Sequence, residues 1–404
     1  MNSLELESDI QNTLDDYLKY APPASLDEVC EYVVEILTNL YEKKNKLYWG
    51  FVPYIRQIVA LYKPEIYGYY YNDFILDDRS ERVEYLKTIP QYEQRTPEWF
   101  KQKLSTIGAS ESACLFGLNP YSRENELILR KCGWENPDKV NSSRMEEACE
   151  HGTKFEAIVQ MLYCIKEKTD LLEFGSLVHG EYSMISASPD GITPVGVMVE
   201  IKVPLNRKIT GIPPPYYWVQ MQQQMQVCKL DVVHFIECKI EEYDSRESYK
   251  NDYLDDSDGY KTNDNMEKGV LVVYIDIETN KKGYIYPEGL LKISEISEFV
   301  KNTKKELEKH DNRMFACEKY WKLVKYCKTV IWRDEHWWND NVDKFIKLWE
   351  RIENYKKNGY EELIPKKRET KKREVKCLIE SDTDSVEIVS KLTTNICLID
   401  SDEG

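Results

Sequence analysis

Two acidic residues and a lysine have the side-chain types and the spacing of a hydrolytic site. Asp190 stands between a proline and a glycine, and nine residues separate it from Glu200. Because residues i and i+2 of a strand point to the same face, Glu200 and Lys202 are predicted to project together while Ile201 turns into the core. A β-hairpin would bring Asp190 alongside them, so that two carboxylates and an ammonium group converge.

Such a grouping is suited to the hydrolysis of phosphodiester bonds. Asp190 and Glu200, with the backbone carbonyl of Ile201, offer the hard oxygen ligands that Mg²⁺ prefers, with Mn²⁺ as a substitute. The metal would polarise the scissile phosphate and lower the pKa of a bound water. Lys202 can orient that water or help to deprotonate it, and it can offset the charge of the transition state.

The same spacing could also arise on an exposed strand that merely alternates in charge. However, the surrounding run 197–203 is otherwise apolar and β-branched, which is typical of a buried strand. Burying charged groups is costly unless they are paired, and this cost favours a functional role for Glu200 and Lys202.

A third carboxylate, Glu156, lies 34 residues before Asp190 on a predicted helix. It could reach the metal directly or through a water molecule. Glu146, Glu147 and Glu150 are close by in the sequence, so a solvent-facing glutamate is the alternative. Spacing alone leaves the two interpretations open.

The elements that must position these groups follow from the hydrophobic periodicity. We predict a helical N-terminal extension (1–90), a mixed α/β core (91–290), a helical C-terminal part packed on the core (291–362) and a basic linker with an acidic, disordered tail (363–404). Within the core, strands are predicted over 182–187, 195–203, 232–240, 270–275 and 283–285, and helices over 99–104, 110–116, 144–168 and 216–229.

The amino-acid composition excludes fewer classes of protein than the motif of Asp190, Glu200 and Lys202 does. The net charge of −16 gives no support to a nucleic-acid partner, but much of the negative charge lies in the tail and in the Asp-rich stretch 243–268. The chain contains no run of about 18 apolar residues, and its acidic start does not have the pattern of a secretory signal. With eleven cysteines and no CxxC pair, we expect reduced thiols and an intracellular protein without a membrane association.

Four blocks, at 99–111, 152–156, 188–202 and 217–222, together resemble the YqaJ viral-recombinase family, which includes lambda phage exonuclease. The resemblance implies an α/β (α+β) fold with a PD-(D/E)xK restriction-endonuclease-like core, a mixed β-sheet flanked by helices. It also implies a Mg²⁺-dependent 5′→3′ exonuclease that acts on the ends of linear double-stranded DNA in recombination, repair or replication processing. A single-strand annealing protein is the implied partner. The extended helical ends are similar to those of members from large DNA viruses, which would act in the host cytoplasm or nucleus.

The same resemblance assigns further residues to the site. The family places an arginine where Lys103 stands and a serine at Ser110, and these two residues would hold the 5′-terminal phosphate. A helix N-terminus at Ser110 also favours an anion, although a plain N-cap serine is the alternative. Gln220 matches the family's glutamine beside the catalytic lysine. Tyr217 lies one helical turn before it on the same face, and the resemblance assigns Tyr217 to DNA binding. The crowded glutamines of this segment leave an ordinary polar helix as the alternative.

Two other functions remain open from the sequence. The same fold could serve as an endonuclease or as a nuclease that also degrades RNA. A catalytically dead recombination scaffold is the non-enzymatic alternative. In the tail, the similar runs 377–382 and 397–402 could dock on a partner protein by strand addition, or they could be solvated low-complexity sequence.

Overall fold

The computed structural model describes residues 3–20, 26–42, 55, 59, 73–92, 96–136, 143–254 and 258–365. Residues 1–363 belong to one unit and 364–404 to a second. The predicted tail motifs therefore lie outside the described residues. No helix among the described residues is both long enough and apolar enough to cross a membrane. The nine cysteines in these ranges are all free thiols.

The described residues of the first unit include both α-helices and 3-10 helices. The α-helices are α1 (Ser3–Tyr20), α2 (Leu26–Glu42), α3 (Asp73–Thr88), α4 (Pro97–Leu104), α5 (Glu124–Lys131), α6 (Ser143–Glu167), α7 (Pro215–Cys228), α8 (Arg246–Asn251), α9 (Ile293–Leu307) and α10 (Glu335–Asn358), with 3-10 helices at Ala109–Phe116 and Glu361–Leu363.

The strands form two sheets. They are β1 (Ile107–Gly108), β2 (Leu177–Val178), β3 (Ile185–Ala187), β4 (Gly191–Ile192), β5 (Met198–Lys202), β6 (Val232–Glu242), β7 (Lys268–Asp276), β8 (Lys281–Ile285) and β9 (Arg313–Trp332). The smaller sheet has the order β1-β3-β2, and the larger has the order β4-β5-β6-β9-β7-β8. In the larger sheet β5 and β6 are parallel whereas the other neighbours are antiparallel, so the sheet is mixed as predicted.

Strand β9 overturns part of the prediction for the C-terminal region. Helix throughout 291–362 was expected, but 313–332 is a 20-residue strand in the middle of the sheet. One part of this strand pairs with β6 and another with β7, so it joins the two halves of the sheet. Its aromatic and β-branched residues fit a pleated surface, while the interspersed lysines conceal that signal. The flanking helices α9 and α10 agree with the prediction.

Two helices cover opposite faces of the sheet at the predicted site. Along β5, Met198 joins the core cluster that includes α7, whereas Val199 and Ile201 join the cluster that includes α6. This alternation is the period of two expected for a strand buried on both faces. The side chains of β5 are therefore divided between α6 and α7, and the site lies between these helices.

The described part of the N-terminal extension is helical, as predicted. Helices α1 and α2 pack on each other through buried aliphatic residues, and Ile212 joins the same cluster. Ile212 belongs to the segment between β5 and α7. The extension therefore packs against the connection that leads from one half of the predicted site to the other.

Candidate active site

A hairpin places Asp190 at the open edge of β5, but its first strand is β4 and not the strand predicted over 182–187, which is observed only as β3 and lies in the smaller sheet. Strand β4 is a two-residue edge strand that pairs with β5 through Gly191 opposite Val199. Asp190 precedes β4, and its Oδ2 accepts a hydrogen bond from the backbone N–H of Ile201 at 2.7 Å. Because the N–H and C=O of one strand residue point to the same side in such a ladder, the Ile201 carbonyl faces the edge that Asp190 occupies.

Glu200 is fully buried and its carboxylate is held by three donors. Oε1 accepts a hydrogen bond from Nε2 of Gln220 at 2.6 Å and is also ion-paired with Nζ of Lys202. Oε2 accepts a hydrogen bond from Nε2 of Gln224 at 2.7 Å. A buried carboxylate is tolerated only with such partners. Glu200 and Lys202 therefore lie together on the α7 side of β5, as the i, i+2 spacing predicts.

The ammonium group of Lys202 is kept in its charged form. Burial opposes the charge, but the carboxylates of Glu200 and then Asp190 more than offset it, so the pKa of Lys202 is raised. Its Nζ also lies 4.9 Å from the centre of the Tyr217 ring. With 23% of its side chain exposed, Lys202 can still reach a ligand. A lysine with a raised pKa keeps its proton, so Lys202 is better suited to donate a hydrogen bond and supply positive charge than to act as a base. Of the two roles that the sequence left open for Lys202, orienting the water is therefore favoured over deprotonating it.

Neighbouring carboxylates carry the same charge as the ionised carboxyl of Asp190. Burial first, and then the Glu200 carboxylate, raise the pKa of the Asp190 carboxyl well above its ordinary value, and Glu156 raises it further. Gln160, one helical turn after Glu156 on α6, donates a hydrogen bond from Nε2 to the backbone carbonyl of Asp190 at 2.9 Å. This bond fixes the α6 face that carries Glu156 toward Asp190, so Glu156 belongs to the cluster rather than to a remote surface.

The donor set fits a divalent cation in its chemistry. The like charges of Glu200 and Glu156 both act on the Asp190 carboxyl, and a cation bound beside Asp190 would relieve that repulsion. In the described ranges, no three His, Cys, Asp or Glu side chains are grouped so that they could hold a metal ion by themselves. Asp190 and Glu200 would therefore need the Ile201 carbonyl and water or phosphate oxygens to complete the coordination, which is usual for Mg²⁺.

Lys103 and Ser110 lie on two neighbouring elements that Lys131 joins, because its Nζ donates to the backbone carbonyl of Lys103 and to the side chain of Glu111, the residue after Ser110. Nζ of Lys103 lies 3.9 Å from the centre of the Trp99 ring, and burial lowers the pKa of Lys103. Ser110 is exposed in the first turn of the 3-10 helix Ala109–Phe116. The N-cap of that helix is Gly108, so the alternative of a plain N-cap serine at Ser110 is wrong.

The 3-10 helix that carries Ser110 packs beside α7. The 3-10 helix contributes Ala109 and Cys114 to the core cluster that includes Trp218 and Val219 of α7. Helix α7 also carries Tyr217 and Gln220. Lys103 and Ser110 are thus on elements packed beside α7, although no direct contact joins them to Asp190 among the described residues.

Sequence reasoning missed residues that support the site from a distance in the chain. Gln224 reaches Glu200, and Gln160 reaches Asp190. Arg207 donates to Oε1 of the buried Glu237 at 2.5 Å and lies 5.6 Å from the Tyr217 ring centre. Repetition of glutamine at i and i+4 in α7 was the available signal for Gln224, because these positions share a helix face. Nothing local indicated the pair of Arg207 and Glu237.

The ordinary polar helix considered for α7 is also wrong. Every residue from Trp218 to Cys228 is buried. Each glutamine in this stretch donates a hydrogen bond to a specific group. The helix is therefore buried although many of its residues are polar.

Fold and site together define a mixed α/β protein with carboxylates and a lysine at the edge of its sheet. The family model described as the YqaJ-like viral recombinase domain matches residues 98–231. The resemblance to the YqaJ family that the sequence motifs indicate is therefore confirmed over these residues. The mixed sheet flanked by helices that this resemblance implies is also observed.

Similar proteins come from two large DNA viruses. The chain is 29% identical over 313 residues to an uncharacterized protein of Acanthamoeba polyphaga mimivirus, covering 70% of this chain and 56% of that protein. It is 30% identical over 169 residues to a protein of African swine fever virus, covering 35% of this chain and 47% of that protein. The chain thus spans about half the length of the curated relatives it matches.

Among solved structures, the chain is similar to an alkaline exonuclease from Laribacter hongkongensis. The identity is 20% and the TM-score 0.37, covering 65% of this chain and 95% of that one. A phage-related exonuclease from Haemophilus somnus is 12% identical with a TM-score of 0.32, covering 65% of this chain and all of that one.

Proposed function

We propose that the chain is a divalent-metal-dependent deoxyribonuclease that degrades linear double-stranded DNA from its 5′ ends. The observation that supports this most strongly is the convergence of Asp190 and the Glu200–Lys202 ion pair at the open edge of β5, within a YqaJ-like domain. A buried carboxylate cluster next to a charged lysine is an expensive arrangement for a structural strand.

Asp190, Glu200 and the Ile201 carbonyl are the groups that would hold Mg²⁺, or Mn²⁺ in its place, with Glu156 nearby. When bound, the metal would supply Lewis-acid activation of the phosphate and a more acidic water. Lys202, held by Glu200, donates a hydrogen bond to the attacking water and offsets negative charge on the phosphate in the transition state. Gln220 shares Oε1 of Glu200 with Lys202 and so limits the orientations that both groups can adopt.

The preference for 5′ ends is proposed from Lys103 and Ser110. Lys103 presents a cation above Trp99, and Ser110 lies exposed in the first turn of a helix. A terminal phosphate carries more charge than an internal one, so these groups favour an end over the middle of a strand. The single-stranded product would be the substrate of an annealing protein, which we propose as the functional partner.

The mode of cutting is tested with one plasmid in two forms and an RNA of similar length. With Mg²⁺, we expect the linear 5′-phosphorylated duplex to be degraded at least about 100-fold faster than the closed circle or the RNA, with a 5′-terminal label released before a 3′-terminal label. Asp190→Asn controls for contaminating nucleases. Cleavage of the circle at a rate similar to the linear form would refute the exonuclease, and earlier release of the 3′ label would refute the direction.

A further inference from the structure

The glutamines of α7 fall into two groups according to the residues to which they donate hydrogen bonds. All five are buried, with exposures between 0% and 9%: Gln220, Gln222, Gln223, Gln224 and Gln226. Three of them bind groups outside the site. Gln222 donates to the carbonyl of Trp332, Gln223 to the carbonyls of Ile107 and Ser186, and Gln226 to the side chain of Glu335.

Only Gln220 and Gln224 reach Glu200 among these glutamines, and they take different oxygens. Gln220 donates to Oε1 at 2.6 Å and Gln224 to Oε2 at 2.7 Å. The two positions are one helical turn apart, so both amides project from the same face of α7. The assignment of the amide nitrogens follows from chemistry, because an ionised carboxylate only accepts hydrogen bonds.

The two oxygens of Glu200 are not equally occupied. Each carboxylate oxygen offers two lone-pair positions. Oε1 uses both, one for Gln220 and one for Lys202. Among the described residues, Oε2 receives only Gln224. One lone-pair position therefore stays open on Oε2, and the Gln224 amide determines which side of this oxygen it faces.

We propose that Gln224 is a positioning residue that orients Oε2 of Glu200 as a ligand for the divalent metal. This inference rests on the proposed metal-dependent function. Gln224 touches neither the metal nor DNA, and it acts by preventing rotation of the Glu200 carboxylate about its last side-chain torsion. Partners that fix a metal ligand in this way typically contribute roughly 10- to 100-fold to metal affinity.

The test is direct titration of the full chain with Mn²⁺ in the absence of DNA, by isothermal calorimetry at constant pH. Gln224→Met removes the donor and approximately keeps the side-chain volume. Gln226→Met is the matched control, because Gln226 is equally buried at 1% and donates to Glu335 instead of Glu200. Thermal unfolding of each variant without metal reports the structural cost of losing one buried amide.

We expect Gln224→Met to raise the Kd for Mn²⁺ by roughly 10- to 100-fold, while Gln226→Met stays within about twofold of wild type despite a similar fall in Tm. The concentration of Mn²⁺ needed for half-maximal cleavage should rise in parallel. If Gln224→Met does not fold, Gln224→Asn, which withdraws the amide by one methylene, should weaken Mn²⁺ binding in the same direction.

An unchanged Kd in a folded Gln224 variant, or an equal rise in Gln226→Met, would overturn the positioning role. In either case, Mn²⁺ binding by the wild-type chain leaves the proposed function standing. A wild-type chain that binds no Mn²⁺ would instead refute the metal-dependent function, and the inference with it.

Discussion

The backbone N–H of Ile201 donates a hydrogen bond to Oδ2 of Asp190 at 2.7 Å, in a position where an edge strand would otherwise pair. Strand β4 begins only at Gly191. The side chain of Asp190, rather than the backbone of a further strand residue, therefore accepts the hydrogen bond from Ile201. This single contact fixes one carboxylate oxygen against β5. It relates the fold of the hairpin directly to the chemistry proposed for it.

Asp190→Asn should stabilise the metal-free protein at alkaline pH. Burial and Glu200 raise the pKa of Asp190 in the folded state, so the fold gains stability from the protonated carboxyl at acid pH. That contribution is lost as the pH rises through the raised pKa. Asparagine removes the titration and can still accept from Ile201. We expect a gain of about 1 kcal/mol in the free energy of unfolding at pH 8 to 9.

This gain is measured by denaturant unfolding in EDTA from pH 5 to pH 9. The difference between the variant and wild type should grow steadily with pH. A difference that is constant across this range would contradict the raised pKa of Asp190.

Lys202→Ala should reduce cleavage by at least about 100-fold, the size usual for one group that stabilises transition-state charge. The fold should persist, because Gln220 and Gln224 still hold the Glu200 carboxylate. Single-turnover rates with saturating Mg²⁺, together with circular dichroism, check both statements. Lys239→Ala is the control, since Lys239 is an exposed lysine on the neighbouring strand. Near-normal cleavage by Lys202→Ala would remove this lysine from the site.

Lys103→Ala should weaken the preference for 5′-phosphorylated ends over 5′-hydroxyl ends. The expected loss is roughly tenfold, corresponding to one charge-assisted hydrogen bond. Degradation rates of paired duplexes that differ only in the terminal phosphate measure the ratio. Lys101→Ala, an exposed lysine on the same helix, should leave the ratio unchanged. Equal slowing on both ends by Lys103→Ala would refute its role in phosphate binding.

Gly269→Ala should destabilise the sheet through its contact with β9. Gly269 pairs with Trp321, and an added Cβ would lie 2.8 Å from the buried indole ring. Overpacking of this kind typically costs about 1–3 kcal/mol. Gly289→Ala is a matched control, because nothing lies within 4 Å of its added Cβ. Equal unfolding midpoints for the two variants in urea would argue against β9 as the strand next to β7.

The elements around the site were predictable from local sequence, whereas the connections between them were not. The turn at Asp190, strand β5 and helices α6 and α7 follow from period, turn residues and length, and so does the shared face of Glu200 and Lys202, whereas the pairing of β4 with β5 does not. Strand β9 was not predicted because its lysines and aromatic residues are also compatible with a helix. Only the pairing with its two partner strands shows that this segment is a strand. Pairing across many residues is not visible in a local window.

The same dependence on contacts between elements explains why some site residues were predicted from the sequence and others were missed. Gln220 was found through the family motif, but Gln224 looked like one more polar residue of a glutamine-rich helix. Gln160 is bound to a backbone carbonyl 30 residues away. Such contacts depend on how α6 and α7 dock on β5, and docking is decided by the core rather than by the polar residues themselves.

The most direct test of the proposed site compares wild type with Asp190→Asn on a linear 5′-phosphorylated duplex, over a titration of Mg²⁺ and Mn²⁺. We predict metal-dependent degradation by wild type and a loss of at least about 1,000-fold in the equally folded variant, since Asp190 is a principal ligand of the proposed metal. Equal rates for the two proteins, whether both active or both inactive with either metal, would contradict a nuclease centred on Asp190, Glu200 and Lys202.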